Sequence, residues 1–138
     1  MGMYTEIYVR ATFDMDKTPE DIINIINYMV NGYDEDKQSA MQAIVVIRGH
    51  PLFNTSRWDF MLQSSSYYHQ PRSTRNFWYD EISNSWYLCC RSDFKNYDNE
   101  ANLFFDWISK YCDEGGSDSF IGYTLYEEDD TPKLFYSK

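Results

Sequence analysis

Thr5-Glu6-Ile7-Tyr8-Val9-Arg10-Ala11-Thr12-Phe13, followed shortly by Thr18-Pro19-Glu20-Asp21-Ile22-Ile23, is the stretch from which the fold is read. In its first part Ile7, Val9, Ala11 and Phe13 alternate with Glu6, Tyr8, Arg10 and Thr12. Successive side chains of a strand point to opposite faces, so this pattern predicts a half-buried strand over 5–13. Thr18 then supplies an N-cap hydroxyl, Pro19 suits the first helical position, and Glu20 and Asp21 place acids in the first turn. Ile22, Ile23, Ile25, Ile26, Met29 and Val30 follow at helical spacing, and Gly32 is placed to close the helix after Asn31.

Working outward, the acids and small polar residues of 33–42 read as a loop, and the apolar run 43–47, too short to settle between a strand and a helix end, is read by preference as a strand. Gly49–Ser56 is a connection, after which 57–68 alternates through Trp58, Phe60 and Leu62 as a long strand. Phe77–Ile82 and Trp86–Arg91, joined by Ser83-Asn84-Ser85, form a hairpin rich in aromatic and β-type residues. Asp98 or a neighbouring Asn opens a second helix carrying Leu103, Phe104, Trp107, Ile108 and Tyr111 on one stripe, and Gly115-Gly116 ends it. Phe120–Tyr126 and Lys133–Tyr136 make a last hairpin around the acidic turn Glu127-Glu128-Asp129-Asp130-Thr131-Pro132. This order predicts one α+β domain over residues 1–138, a single antiparallel sheet of about five to six strands with two helices packed on one face. The other face, supplied with outward tyrosines, is solvated or paired, and a homodimer is one way to pair it.

A chain of 138 residues can bury roughly two thirds of its unfolded surface and needs no disulfide staple. Cys89, Cys90 and Cys112 are odd in number and lack Cys-x-x-Cys spacing, which suits a reducing compartment. The start 1–13 has neither the basic lead nor the apolar run of a signal peptide, and no stretch approaches the roughly 20 apolar residues of a membrane span. A cytoplasmic protein that does not engage a membrane is expected. Twenty-two acidic side chains oppose twelve basic ones, for a net charge of −10. Residues 41–79 carry Arg48, Arg57, Arg72 and Arg75 against Asp59 alone, a local +3 that leaves −13 elsewhere. Such a field opposes direct nucleic-acid binding, which proceeds by releasing counterions to Lys and Arg, and favours a basic protein surface as partner.

Motifs for chemistry are sparse. His50 stands in an Arg-Gly-His-Pro turn, where a hydrogen bond to the backbone is its expected role, and His69 follows two tyrosines in a loop. Cys89 and Cys90 are adjacent on a strand and point to opposite faces, so at most one can enter any site. No catalytic residue is assigned. The runs Asp34-Glu35-Asp36 and Glu127–Asp130 lack the spaced pattern of a calcium loop, so no metal site is assigned, and the absence of phosphate-cradling glycine motifs leaves no cofactor implied. Two constellations remain. An acidic one comprises Asp14, Asp16, Glu20, Asp21, Asp34, Glu35, Asp36, Glu127, Glu128, Asp129 and Asp130, which could face a basic groove as a phosphate backbone would. The alternative comprises Arg57, Trp58, Tyr67, Tyr68, His69, Arg72 and Arg75, whose guanidinium and aromatic planes suit an anionic planar ligand such as a nucleotide.

Several segments also carry a resemblance: His50-Pro51-Leu52-Phe53, Arg57-Trp58 with Met61-Leu62, Ser66-Tyr67-Tyr68, Asp106-Trp107-Ile108, Phe120-Ile121-Gly122-Tyr123 with Tyr126-Glu127, and above all Phe94-Lys95-Asn96-Tyr97-Asp98-Asn99-Glu100. Together they resemble a family of small acidic proteins encoded by phages and prophages. The stretch 38–47 is longer here than in that pattern. The resemblance implies a mobile element in a bacterial host and carries over no catalytic residue. With the charge, it leads to an expected function: a non-enzymatic protein that inhibits a host nucleic-acid-handling defence protein through an acidic surface, in the manner of an anti-CRISPR. The alternatives are a protein that sequesters a nucleotide signal and a minor structural or assembly component of the phage particle.

Overall fold

Strand β1 (Thr5–Asp14) takes the centre of the sheet because both its edges are paired, one with β3 (Ser85–Phe94) and the other with β4 (Phe120–Tyr126). The structure, a computed structural model, describes residues 3–47, 49–63, 74–113 and 118–138. Beyond β3 lies β2 (Thr74–Asp80) and beyond β4 lies β5 (Lys133–Tyr136), giving the antiparallel order β2-β3-β1-β4-β5. Val9 stands opposite Cys90 on one side and Gly122 on the other. That register puts Ile7, Val9, Ala11 and Phe13 on one face together with Leu88, Cys90 and Phe94, all buried. Helices α1 (Glu20–Asn31) and α3 (Glu100–Ile108) bury their apolar stripes in the same core, Phe105 of α3 stacking on Phe135 of β5 at 4.2 Å between centroids. The α+β reading, with its five-stranded sheet, is what the structure shows.

On the opposite face Tyr8 stacks on Tyr123 and Trp78 on Tyr87, each pair 5.4 Å apart. Arg91 and Glu6, facing the same way, form an ion pair with Nε 3.1 Å from Oε2. No helix among the described residues is long and apolar enough to cross a membrane.

Three local expectations are corrected. Residues 34–46 are neither loop nor strand but a third helix, α2 (Asp34–Val46), which packs on α1. Its acids sit in the first turn, where the helix dipole favours them, and its buried face consists of Ala40 and Ala43, too small to register as apolar periodicity. Residues 57–63 are turns, with hydrogen bonds from Phe60 N–H to Arg57 O and from Gln63 N–H to Phe60 O. Trp58, Met61 and Leu62 face the core at helix-like spacing while Phe60 is 43% exposed, which defeats the alternation that suggested a strand; 64–68 lie outside the described residues. Finally, Thr18 does not cap α1. The helix starts from Pro19, whose carbonyl takes the Ile22 N–H, and the Thr18 hydroxyl is buried without a partner among the described residues. At the other end Gly32 closes α1 with φ 67°, as expected. Helix α3 stops at Ile108, and Gly115-Gly116 lie outside the described residues.

Candidate interaction surface

Asn96-Tyr97-Asp98-Asn99-Glu100 ties three segments together at the end of the sheet where β1 begins. Asn99 adopts φ 64°, a left-handed conformation that Asn tolerates, and turns the chain into α3. Asn96 Oδ1 accepts the Ala101 N–H at 2.9 Å, satisfying one of the helix's first donors from outside the usual cap position. Glu100 is fully buried, and its carboxylate is held by the N–H groups of Asp98 and Arg57 at 3.1 and 3.0 Å. Asp98 in turn accepts the Ser56 N–H at 3.0 Å, and that bond is the first cause holding its carboxyl below the usual range. The Arg57 guanidinium rests 5.0 Å from the ring centre of Tyr97, which is 57% exposed.

Thr5 pairs with Tyr126, so the β4–β5 turn projects from this same end. Past the strands the ladder continues: Glu127 N–H donates to Tyr4 O at 3.0 Å, and Tyr4 N–H donates to Glu127 Oε1 at 2.6 Å. Glu127, Glu128, Asp129 and Asp130 are all exposed, and none is ion-paired among the described residues. Desolvation first, then the charges of Glu128, Glu127 and Asp129, raise the Tyr126 hydroxyl above its ordinary pKa. Between the turn and the start of α3 lies a hollow of about 360 Å³, lined by Asn96, Tyr97, Asn102, Tyr126, Asp129 and Lys133 among others. It offers aromatic faces, amides, a carboxylate and an ammonium, and contains neither His nor Cys to supply a base or nucleophile. No group of His, Cys, Asp and Glu among the described residues could hold a metal ion.

The other acidic candidates are elsewhere. Asp14, Asp16, Glu20 and Asp21 flank the far end of β1, whose ten residues span about 30 Å. There the Asp14 carboxylate accepts the Asp16 N–H at 2.8 Å, and the Lys17 ammonium stands 3.9 Å from Asp14 and 3.6 Å from Asp113. Asp34, Glu35 and Asp36 open α2, on the layer outside α1, with Asp36 Oδ2 accepting from Asn27 at 3.2 Å. The acidic set is thus divided among three places rather than gathered into one patch. Of the alternative group, Trp58 is 7% exposed and packs in the core, 5.0 Å from Phe53 and 6.2 Å from Tyr28, so its ring is closed to a ligand. Arg57 serves the α3 entry, Arg75 is exposed on edge strand β2, and Tyr67, Tyr68, His69 and Arg72 lie outside the described residues.

His50 accepts the Leu52 N–H on Nδ1 at 3.1 Å and holds Nε2 2.8 Å from Asp106 Oδ2. The tautomer that satisfies both partners carries its proton on Nε2, so neither nitrogen is free to act as a base. The hydrogen bond to His50, then that to Lys138, holds the Asp106 carboxyl below its usual range. Burial pushes the Cys90 thiol up to about 12, which makes it inert, while Cys89 faces the other way. Nothing in the sequence marks Asn96, Tyr97, Asn102, Tyr126 or Lys133 as site residues. The segment 94–100 stood out there by its pattern, yet nothing in the pattern indicates that it meets a turn thirty residues further on. Comparison with protein-family models, with curated proteins and with solved structures finds no match.

Proposed function

We propose that this chain is a non-enzymatic protein of a phage or other mobile element that binds a basic, nucleic-acid-handling surface of a bacterial host protein. In this reading it acts as an anti-CRISPR does, occupying a groove built for phosphates. The observation that carries it is the β4–β5 turn: four consecutive exposed carboxylates on a turn whose backbone is tied to Tyr4. Like charges in succession repel one another and add little packing, so the arrangement costs stability unless a cationic partner uses it. Exposed Tyr97, on the same end of the sheet, supplies an aromatic anchor of the type enriched at interfaces. The resemblance to phage-encoded acidic proteins supports the genetic setting.

The test is capture of a partner from bacterial host lysate by the tagged chain and by a variant carrying Glu127→Gln, Glu128→Gln, Asp129→Asn and Asp130→Asn. The expected result is a basic partner retained at low salt by the parent chain and lost by the variant. Equal capture by both, or an affinity indifferent to ionic strength, would remove the electrostatic contact on which the reading depends.

A further inference from the structure

Among the described residues the strand order leaves the far edge of β5 without a neighbour in the sheet, and α3 packs on the core face over β4 and β5, next to that edge. Two hollows lie along the line where α3 meets the sheet, the first reaching inward over Thr124 of β4 to Thr5 of β1. The first, of about 360 Å³, is the one at the acidic turn; the second, of about 250 Å³, runs on along β5 past Phe105, Ser109, Phe135 and Tyr136. They share Asn102 and Lys133, so together they form one groove from Asp129 to Lys138, with the stacked Phe105 and Phe135 rings in its wall.

We infer that this groove takes an extended peptide segment of the partner, added as a sixth strand on β5. An edge strand turns alternate N–H and C=O groups outward, ready for a further chain, and a helix beside the edge supplies pockets for every second side chain. The acidic turn at one end of the groove specifies the occupant, since at the other end the Lys138 ammonium is paired with Asp106 at 3.0 Å. At its first hollow Asp129, with Tyr97 and Tyr126, suits a Lys or Arg side chain, by ion pairing and by contact with aromatic faces. At its second, the half-buried Phe135, backed by the buried Phe105, suits an apolar side chain two residues away, on the same side of the added strand. Lys133 stands between and disfavours a second basic residue there. Pro132 has no N–H to offer, so pairing begins at Lys133, and a strand of four residues allows few ladder bonds. The side-chain hollows therefore set most of the affinity. The basic residue of the peptide rests on the proposed contact of the acidic turn with a basic partner; the groove itself does not.

A displayed library of random linear peptides selected against the whole chain tests this. Enriched peptides are expected to carry one Lys or Arg two positions from Leu, Phe or Tyr. N-methylation of alternate peptide amides should abolish binding, whereas methylation of the intervening ones should not. Asn102→Trp, at the half-buried residue that lines both hollows, should weaken binding about tenfold or more, with the fold checked by circular dichroism. Amide resonances of Lys133–Tyr136 should shift on titration with a selected peptide, the N–H groups of Ser137 and Lys138 being already held by Ser119 O and Ser109 O. No enrichment, binding indifferent to the position of N-methylation, or full binding by Asn102→Trp would overturn the inference. Partner capture that survives Asn102→Trp but is lost on neutralising 127–130 would overturn the groove while leaving the acidic contact standing. Peptides that lack a basic residue yet depend on Asn102 and on backbone N–H groups would uphold the groove and remove the acidic contact.

Discussion

Gly122 occupies a position where no side chain fits. A Cβ there would stand 2.1 Å from the Tyr8 carbonyl oxygen and 2.6 Å from Phe105 Cζ, since α3 lies directly on β4 at this point. Gly122→Ala should therefore destabilise the protein by about 3 kcal/mol in urea unfolding, the upper part of the usual range for overpacking. Unchanged stability would mean that α3 does not rest on β4 as described. Across the sheet, the Tyr123 hydroxyl donates to Glu6, which also holds Arg91. Burial first, then the bond to Glu6 and its charge, push Tyr123 up to about 12. The folded value is raised, so the stability it contributes is complete below about pH 10, where an unfolded tyrosine begins to ionise, and is lost as pH rises through 12. Glu6→Gln should move this titration down toward 10, followed by NMR of ring-labelled tyrosine; a titration that stays near 12 would assign the whole shift to burial.

Among the elements, α2 separates sequence from structure most sharply. Its contact with α1 is made by Ala40 and Ala43, while Val45 and Val46 are 76% and 65% exposed. Ala40→Leu should cost about 2 kcal/mol by forcing the two helices apart, and Val45→Lys should change stability by no more than about 0.5 kcal/mol. The opposite ranking would put the other face of α2 against α1. The β-type run Ile44-Val45-Val46-Ile47 suggested a strand because side-chain type outweighed the alanine stripe, whose small volume carries little hydrophobic signal. Residues 57–63 misled in a different way, since Trp58, Phe60 and Leu62 alternate in type although Phe60 faces solvent. At the entry of α3, Asp98 has a carboxyl held below its free value by the Ser56 N–H. Its stabilisation is present above about pH 4 and lost as pH falls through the folded value, so Asp98→Asn should flatten the acid limb of a stability–pH curve. An acid limb identical to the parent's would show that Asp98 does not titrate differently on folding.

For the whole molecule, the acidic candidates are divided among three places rather than gathered in one, and the β4–β5 turn combines carboxylates with a hollow and the exposed ring of Tyr97. Neutralising Glu127–Asp130 should leave folding stability unchanged or slightly raised in thermal unfolding, while weakening partner binding about tenfold or more and flattening its salt dependence. Unfolding of that variant would mean that the carboxylates hold the hairpin through more than the Tyr4 contact. What the sequence by itself determined was local: the half-buried first strand, the hairpins 77–91 and 120–136, and the apolar stripes of α1 and α3. Each is written in a period of two or of 3.6 residues over a short window, and the sheet confirms them because its burial follows the same periods. Tertiary structure alone decided the neighbour order β2-β3-β1-β4-β5, the helical state of 34–46, and the meeting of Asn96–Glu100 with Glu127–Asp130. The first and last of these depend on pairings between residues far apart in the chain, set by register and by which faces bury together, and the second on a close fit between helices that two alanines make possible. No local window contains any of them.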